Sequence, residues 1–335
     1  MFKKAHLASM AVAALVLATT ACSTTGGSTT SATGKAKDIK QVTIGFAQRQ
    51  LDAPYYAAMQ KQAEQIAKAK GFKLLVQNAN GDPVTQINQI NNMVSQGADL
   101  IVVNAVSPLT EKSQIAQIAK TTPVMFIDTG INGVGFTAVT SDNVAIGTDA
   151  GKLLAERLGS GTTANIAILN GGPTDEVVGP NRQKGFLAGL KDGGVTAKVV
   201  ASASGVYARD KAVPATEDML SAHPEINVIV GLNDAMALGA LSVLRQQGKT
   251  KILVAAAADG QKEALQEMKS GGCTGQYVST GLNSPSLATT KVFDIAIQIT
   301  TGVKKTTDFP ANSYTKAAGI GCKNVDQFVN PSSLF

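Results

Sequence analysis

The feature that leaves this chain fewest possible folds is a repeated alternation. Short, unbroken runs of β-branched and other apolar residues are each followed by a segment with helical periodicity. The runs "VTIGFA", "KLLVQNA", "DLIVVNA" and "PVMFIDT" begin at residues 42, 73, 99 and 123, which are 31, 26 and 24 residues apart. Such an interval holds one strand, one helix and their connections, so each step reads as a βαβ unit. The runs are continuous rather than alternating, as parallel strands covered on both faces require. A second series follows: "ANIAILNGG" (164–172), "TAKVVASAS" (196–204), "INVIVGLN" (226–233), "KILVAAAAD" (251–259) and "GQYVSTG" (275–281). The segment "SDNVAIGTDAGKLLAERLGSGTT" separates the two series. Two series predict an α/β chain of two doubly wound parallel-sheet lobes, and 335 residues exceed what a single core usually serves.

The intervening segments carry helix signals. In "DPVTQINQINNMVSQG", Asp82 reads as the cap, Pro83 as the first helical residue and Gly97 as the stop. Val84, Ile87, Ile90 and Val94 would form its buried face. At "GLNDAMALGAL" a strand ends in Asn233-Asp234 and a helix starts at once. Asp234 is expected to cap that helix while Asn233 faces outward from the sheet edge.

The first residues have a separate purpose. Lys3 and Lys4 precede "LASMAVAALVLA", a run too short to span a bilayer, and "TTAC" follows. Residues 1–21 are therefore expected to be a signal peptide. The run of small residues up to Cys22 resembles the lipobox of bacterial lipoproteins, which implies lipidation of Cys22. Residues 22–39, rich in Ser, Thr and Gly, read as a flexible tether. The formal net charge is +6, but the basic residues are scattered, which argues against nucleic acid. Beyond the signal peptide the only histidine is His223, leaving neither a His-centred triad nor a His-rich metal site. With Cys22 set aside, Cys273 and Cys322 form an even pair, and their separation of 49 residues matches no zinc motif.

Polar residues gather where the strands run out. In the first series these are Gln48-Arg49, Asn78, Asn80, Asn104 and Asp128; in the second, Asn170, Tyr207, Asn233-Asp234 and Asp259. Two such edges facing each other would enclose a cleft lined with Arg, Asp, Asn and Tyr. That chemistry suits a neutral polyhydroxylated ligand, whose hydroxyls take charge-assisted hydrogen bonds and whose C–H faces lie on aromatic rings. An enzyme is disfavoured: "GVGFTA" (133–138) has the letters of a dinucleotide fingerprint but precedes a strand instead of joining strand to helix. No P-loop or nucleophile elbow occurs. A DNA-binding repressor would need a helix-turn-helix headpiece where the signal peptide stands.

Taken together, "APYY", "TSDNVAIG", "RQKGF", "SAHPEINVIVGLND" and "NDAMALGAL" make the chain resemble the sugar-binding proteins of the ribose-binding type. These are the soluble receptors of bacterial ABC sugar importers. The likeness runs from about Thr43 to Tyr314. It implies a periplasmic binding protein of type I, with two lobes joined by a three-stranded hinge near Ser141-Asp142, Ser279-Thr280 and Asn312-Ser313. Residues 40–141 and 280–312 would form the first lobe, and 142–279 and 313–335 the second. By the same resemblance Tyr55 and Tyr56 correspond to the aromatic pair around the sugar. Asp128, Arg182, Tyr207, Asn233 and Asp259 correspond to further ligand contacts, and Arg49 to a position used by some sugar-selective members. The family's late glutamine falls at Ser279 or Thr280. Ala53 and Thr129 replace two of its polar contacts, which argues against ribose itself and leaves the implied ligand as a pentose, hexose or alditol. The resemblance further implies an exported monomer without catalysis, cofactor or metal, partnered by an ABC permease; a receptor reporting to a membrane sensor is the alternative. In that topology Cys273 and Cys322 both fall in the second lobe, close enough to form a disulfide.

Overall fold

The computed structural model describes residues 37–335; the expected signal peptide, Cys22 and the expected tether up to Ala36 lie outside the described residues. In the first lobe β1 (Thr43–Gln48), β2 (Lys73–Asn78), β3 (Leu100–Val103), β4 (Val124–Ile127) and β5 (Ala138–Thr140) alternate with α1 (Pro54–Lys70), α2 (Pro83–Ser95) and α3 (Pro108–Ile118). The second lobe begins with α4 (Asn143–Leu158) and β6 (Thr163–Asn170), α5 (Val178–Asp192), β7 (Thr196–Ser204) and α6 (Arg209–Ala222). It continues with β8 (Val228–Gly231), α7 (Asp234–Gln246), β9 (Leu253–Ala256), α8 (Lys262–Gly271) and β10 (Ser279–Gly281). Helix α9 (Pro285–Thr300), β11 (Asn312–Tyr314) and β12 (Gly319–Gly321) complete the order.

All pairings in the two large sheets are parallel. The first sheet runs β11-β5-β4-β3-β1-β2 and the second β7-β6-β8-β9. The strands are apolar because both faces are covered: β3, β4 and β8 are buried along their whole length. Strand order reverses at β1/β3 and at β6/β8, the switch points outside whose carboxyl ends ligands bind in open α/β sheets.

The chain passes between the lobes three times, and strand pairing locates each passage. The first lies between β5 and α4, at Ser141-Asp142. Strand β10 still belongs with the second lobe: it pairs with β12, and Tyr277 just before it bridges to Val254. The second passage is therefore at Leu282–Ser284, after which α9 packs on the first lobe through Phe293 against Phe46 and Phe72. Strand β11 pairs with β5 of the first sheet, which moves the third passage to 315–318. Strands β5, β11 and β12 span three residues each, too short for any periodic signal.

Helix ends follow their capping residues. Asp82, Ser107, Asp142 and Ser284 accept from the backbone N–H three residues on. On α2 the expected face is corrected: Val84 is exposed, while Gln86, Ile90 and Met93 are buried. Gln86 takes the inner position because its amide finds backbone partners at the ends of β1 and β3. It donates to the Ala47 and Asn104 carbonyls and accepts from the Val106 N–H. Cys273 and Cys322 are joined in a disulfide beside β10 and β12, with Cα atoms 5.1 Å apart.

One helix pair is held unusually close. Gly147 and Gly151 of α4 face Gly185 and Gly189 of α5, and a Cβ at any of the four would run into backbone carbonyl oxygen of the partner helix. The i, i+4 glycines on both helices let backbone meet backbone. This contact brings the first turn of α4 beside Arg182 of α5.

Candidate functional site

The polar residues at the strand ends converge. Arg49 follows β1 and is only 2% exposed. Its guanidinium lies over the Tyr56 ring, 5.7 Å from the centroid, and one Nη reaches the Thr129 hydroxyl at 3.4 Å. Its Nε–H has no partner among the described residues. Tyr55 and Tyr56 open α1 after Pro54, and both are buried, edge to face with centroids 5.6 Å apart. Asp128 follows β4 with a left-handed φ of 60°, which turns its side chain out of the strand direction. Burial pushes its carboxyl up to about 6, against the pull of Arg182 and Arg49.

The second lobe supplies the other wall. Arg182 is fixed on several sides: Nε donates to Asn143 Oδ1 at 2.9 Å, and Nη1 donates to the Leu232 carbonyl at 3.0 Å and pairs with Asp259 Oδ1 at 3.4 Å. Its face lies 5.8 Å from the Tyr207 centroid. Tyr207 also has a left-handed φ, of 64°, and its hydroxyl donates to Asp175 at 2.6 Å. Asp259 has a φ of 129°, a conformation few side chains other than glycine adopt. Burial raises its pKa, while Arg182 opposes the shift.

Two expectations are corrected. Asn233, not Asp234, caps α7: its Oδ1 accepts from the Met236 N–H at 3.0 Å, while its Nδ2 donates to the Tyr207 carbonyl at 3.2 Å. Asp234 turns inward instead, accepting from the Tyr277 hydroxyl and the Gln261 N–H at 2.6 Å each. Asn233 still stands beside Asp259, so one residue both caps the helix and joins the polar cluster. Ser279 does not join the cluster. It is fully buried on β10, and its hydroxyl donates to the Ala150 carbonyl of α4 at 2.9 Å.

The place expected of Ser279 is occupied by Asn283, which sequence reasoning missed. Its Oδ1 accepts from the hydroxyls of Tyr55 and Ser141, at 2.9 and 2.7 Å, and its Nδ2 donates to Asp259 at 3.1 Å. One amide thus touches the first lobe, the first passage and the second lobe. A signal was present: "GLNS" (281–284) repeats "GLND" (231–234), a strand end running into a helix cap. Asp175 and Asn143 were also missed, for they act through Tyr207 and Arg182.

The arrangement gathers two guanidinium groups, two carboxylates and aromatic rings in one buried cluster drawn from both lobes, with no base–nucleophile pair among them. The matching family is the "Periplasmic binding protein domain", whose sequence model covers residues 44–304. The chain belongs to this family of periplasmic binding proteins. Among curated relatives, the ribose import binding protein of Bacillus subtilis (strain 168) is 32% identical over 238 residues, covering 69% of this chain and 73% of that protein. A xylitol-binding protein of Mycolicibacterium smegmatis is 32% identical over 223 residues, covering 64% of this chain and 61% of that one. Among solved structures, an ABC transporter solute binding protein from Mycobacterium smegmatis with bound glycerol superposes with a TM-score of 0.78 at 28% identity. That match covers 88% of this chain and 98% of the other. Members of the family bind solutes without transforming them, so this periplasmic binding protein is not an enzyme. Membership also implies export from the cytoplasm. No helix among the described residues is long and apolar enough to cross a membrane.

Proposed function

We propose that this binding protein captures one small neutral sugar or polyol in the interlobe cleft and delivers it to an ABC importer. The observation that carries the reading is Arg49. A buried guanidinium has five N–H donors, and among the described residues the one side-chain hydrogen bond it makes is long, at 3.4 Å. Burying such donors unpaired is costly, so they are matched by ligand oxygens when the cleft is filled. Arg49 and Arg182 balance Asp128 and Asp259, which favours a neutral ligand over a sugar acid or phosphate. The carboxylates accept from hydroxyls and the guanidiniums donate to them, while Tyr55, Tyr56 and Tyr207 offer flat faces to C–H bonds. Asn233 and Asn283 complete the contact set. Relatives bearing the names ribose import binding protein and xylitol-binding protein support both sugar and alditol as classes.

In this reading the protein is a monomer held near the membrane by lipid on Cys22, with residues 23–36 as tether; Lys37 to Ile39, expected in the tether, instead open the folded body, with Lys37 paired to Asp99 and Asp38 capping a short turn at Ile39–Gln41. Binding closes the lobes by hinge motion about the three passages. A thermal-shift screen over pentoses, hexoses and alditols tests the central reading, because a ligand of the native state alone raises the melting temperature. At least one sugar or alditol should stabilise the protein. Stabilisation by an amino acid or peptide, with every sugar and alditol inert, would overturn the reading.

A further inference from the structure

The loop between β6 and α5 does two things at once. Asp175 in it holds the Tyr207 hydroxyl inside the cleft and accepts from the Gly179 N–H. The next residue, Glu176, reaches across to the first lobe. Its Oε1 accepts from the Ser107 hydroxyl at 2.9 Å, and its Oε2 accepts from the Leu109 N–H at 2.9 Å. Ser107 and Leu109 form the start of α3, where backbone N–H groups have no partner within the helix and the helix dipole favours an anion. A carboxylate of one lobe thus completes a helix terminus of the other. Gln50, whose amide reaches the Val206 carbonyl at 3.4 Å, spans the same gap with a neutral and longer contact.

We propose that Glu176 is the latch of the closed cleft, a positioning residue that sets how long a bound sugar or polyol is retained without touching it. The proposal rests on the sugar-binding reading above. Its physical logic is a difference between two states. With the lobes apart, water serves the Ser107 hydroxyl, the Leu109 amide and the Glu176 carboxylate separately; with the lobes together, both carboxylate oxygens are engaged at once. The contact therefore favours only the closed state, and a contact made in only one state shifts the balance toward it. Sequence adjacency supplies the coupling. A ligand that settles against Tyr207 orders the loop through Asp175, and the same loop carries Glu176. One turn into α3, burial holds the Glu111 carboxyl up to about 8, so it presents little charge against Glu176 near neutral pH.

The test uses the full chain and the substitutions Glu176→Ala and Glu176→Gln. Amide hydrogen exchange at Leu109, followed by NMR, reports the latch directly, because no carbonyl within α3 protects that N–H. Exchange is measured without ligand and with saturating xylitol, or with whichever sugar or alditol most raises the wild-type melting temperature. Leu109 should exchange roughly tenfold faster in Glu176→Ala, and stopped-flow should show dissociation roughly tenfold faster with association changed less than about twofold. Equal Leu109 exchange in wild type and variant under both conditions overturns the latch, as does an unchanged dissociation rate. If no sugar or alditol binds but Leu109 exchange still depends on Glu176, the sugar reading fails and the latch stands.

Discussion

At the scale of single residues, the cleft places ionisable groups where water would normally serve them. Asp259 is 2% exposed, pairs with Arg182 and accepts from Asn283. Asp259→Asn keeps the shape but removes the charge, and hydrogen bonds to charged groups contribute about 1.5–3 kcal/mol. Affinity for the best sugar or alditol of the screen should fall roughly ten- to a hundredfold. Isothermal titration of the purified variant checks this, and near-wild-type affinity would remove Asp259 from the contacts. Glu111 makes a different prediction. It is fully buried on α3, and neither carboxylate oxygen has a hydrogen-bond partner among the described residues. Burial raises its pKa from 4.5 to about 8, so between these values the folded chain holds more protons than the unfolded one. Stability from this group is present at low pH and is lost as pH rises toward 8. Glu111→Gln should melt with the wild type near pH 4.5 and above it at pH 8, by on the order of 5 °C. Parallel melting curves across that range would count against a buried, protonated Glu111.

At the scale of elements, the α4–α5 contact decides where Arg182 stands. Gly185, one turn after Arg182, faces the Val144 carbonyl of α4, and Asn143 at the start of α4 receives the Arg182 Nε–H. A methyl group at position 185 has no free space, and overpacking of this kind costs about 1–3 kcal/mol. Gly185→Ala should lower the apo melting temperature and, by separating the helices, weaken ligand binding as well. Unchanged melting and affinity would mean that the helices can move apart without disturbing the site. Both glycine pairs could be read from "GTDAG" and "GFLAG" as spacing, but not as partners. Helical spacing shows which residues share a face; it does not show which helix that face meets. The same limit explains Gln86, a polar residue on the buried face of α2, whose partners are the ends of β1 and β3.

At the scale of the whole molecule, three chain passages join the lobes and Glu176 and Gln50 tie them across the cleft. If ligand binding closes the lobes, the bound form is the more compact. Small-angle scattering with and without the best ligand of the screen should show a smaller radius of gyration when bound. A verified ligand that leaves the radius unchanged would argue against hinge closure. The disulfide lies within the second lobe, where Cys273 and Cys322 flank the small β10–β12 pair.

What the sequence determined by itself was set by local rules. Strands buried on both faces must be continuously apolar, βαβ units recur at a characteristic length, and a parallel sheet directs polar residues to the carboxyl ends of its strands. Two lobes and most of the polar cluster, from Arg49 to Asp259, follow from those rules and from the family motifs. The tertiary structure decided what depends on which backbone groups remain unpaired once the sheets form. Asn233 caps α7 because its side chain meets the free N–H of Met236, and Asp234 is drawn inward by Tyr277 and Gln261 from elsewhere in the lobe. Ser279 finds the Ala150 carbonyl, leaving the cleft to Asn283, which meets its three partners only when both lobes and the first passage are in place. Such pairings join residues as far as 228 positions apart in the chain, beyond the reach of any local pattern.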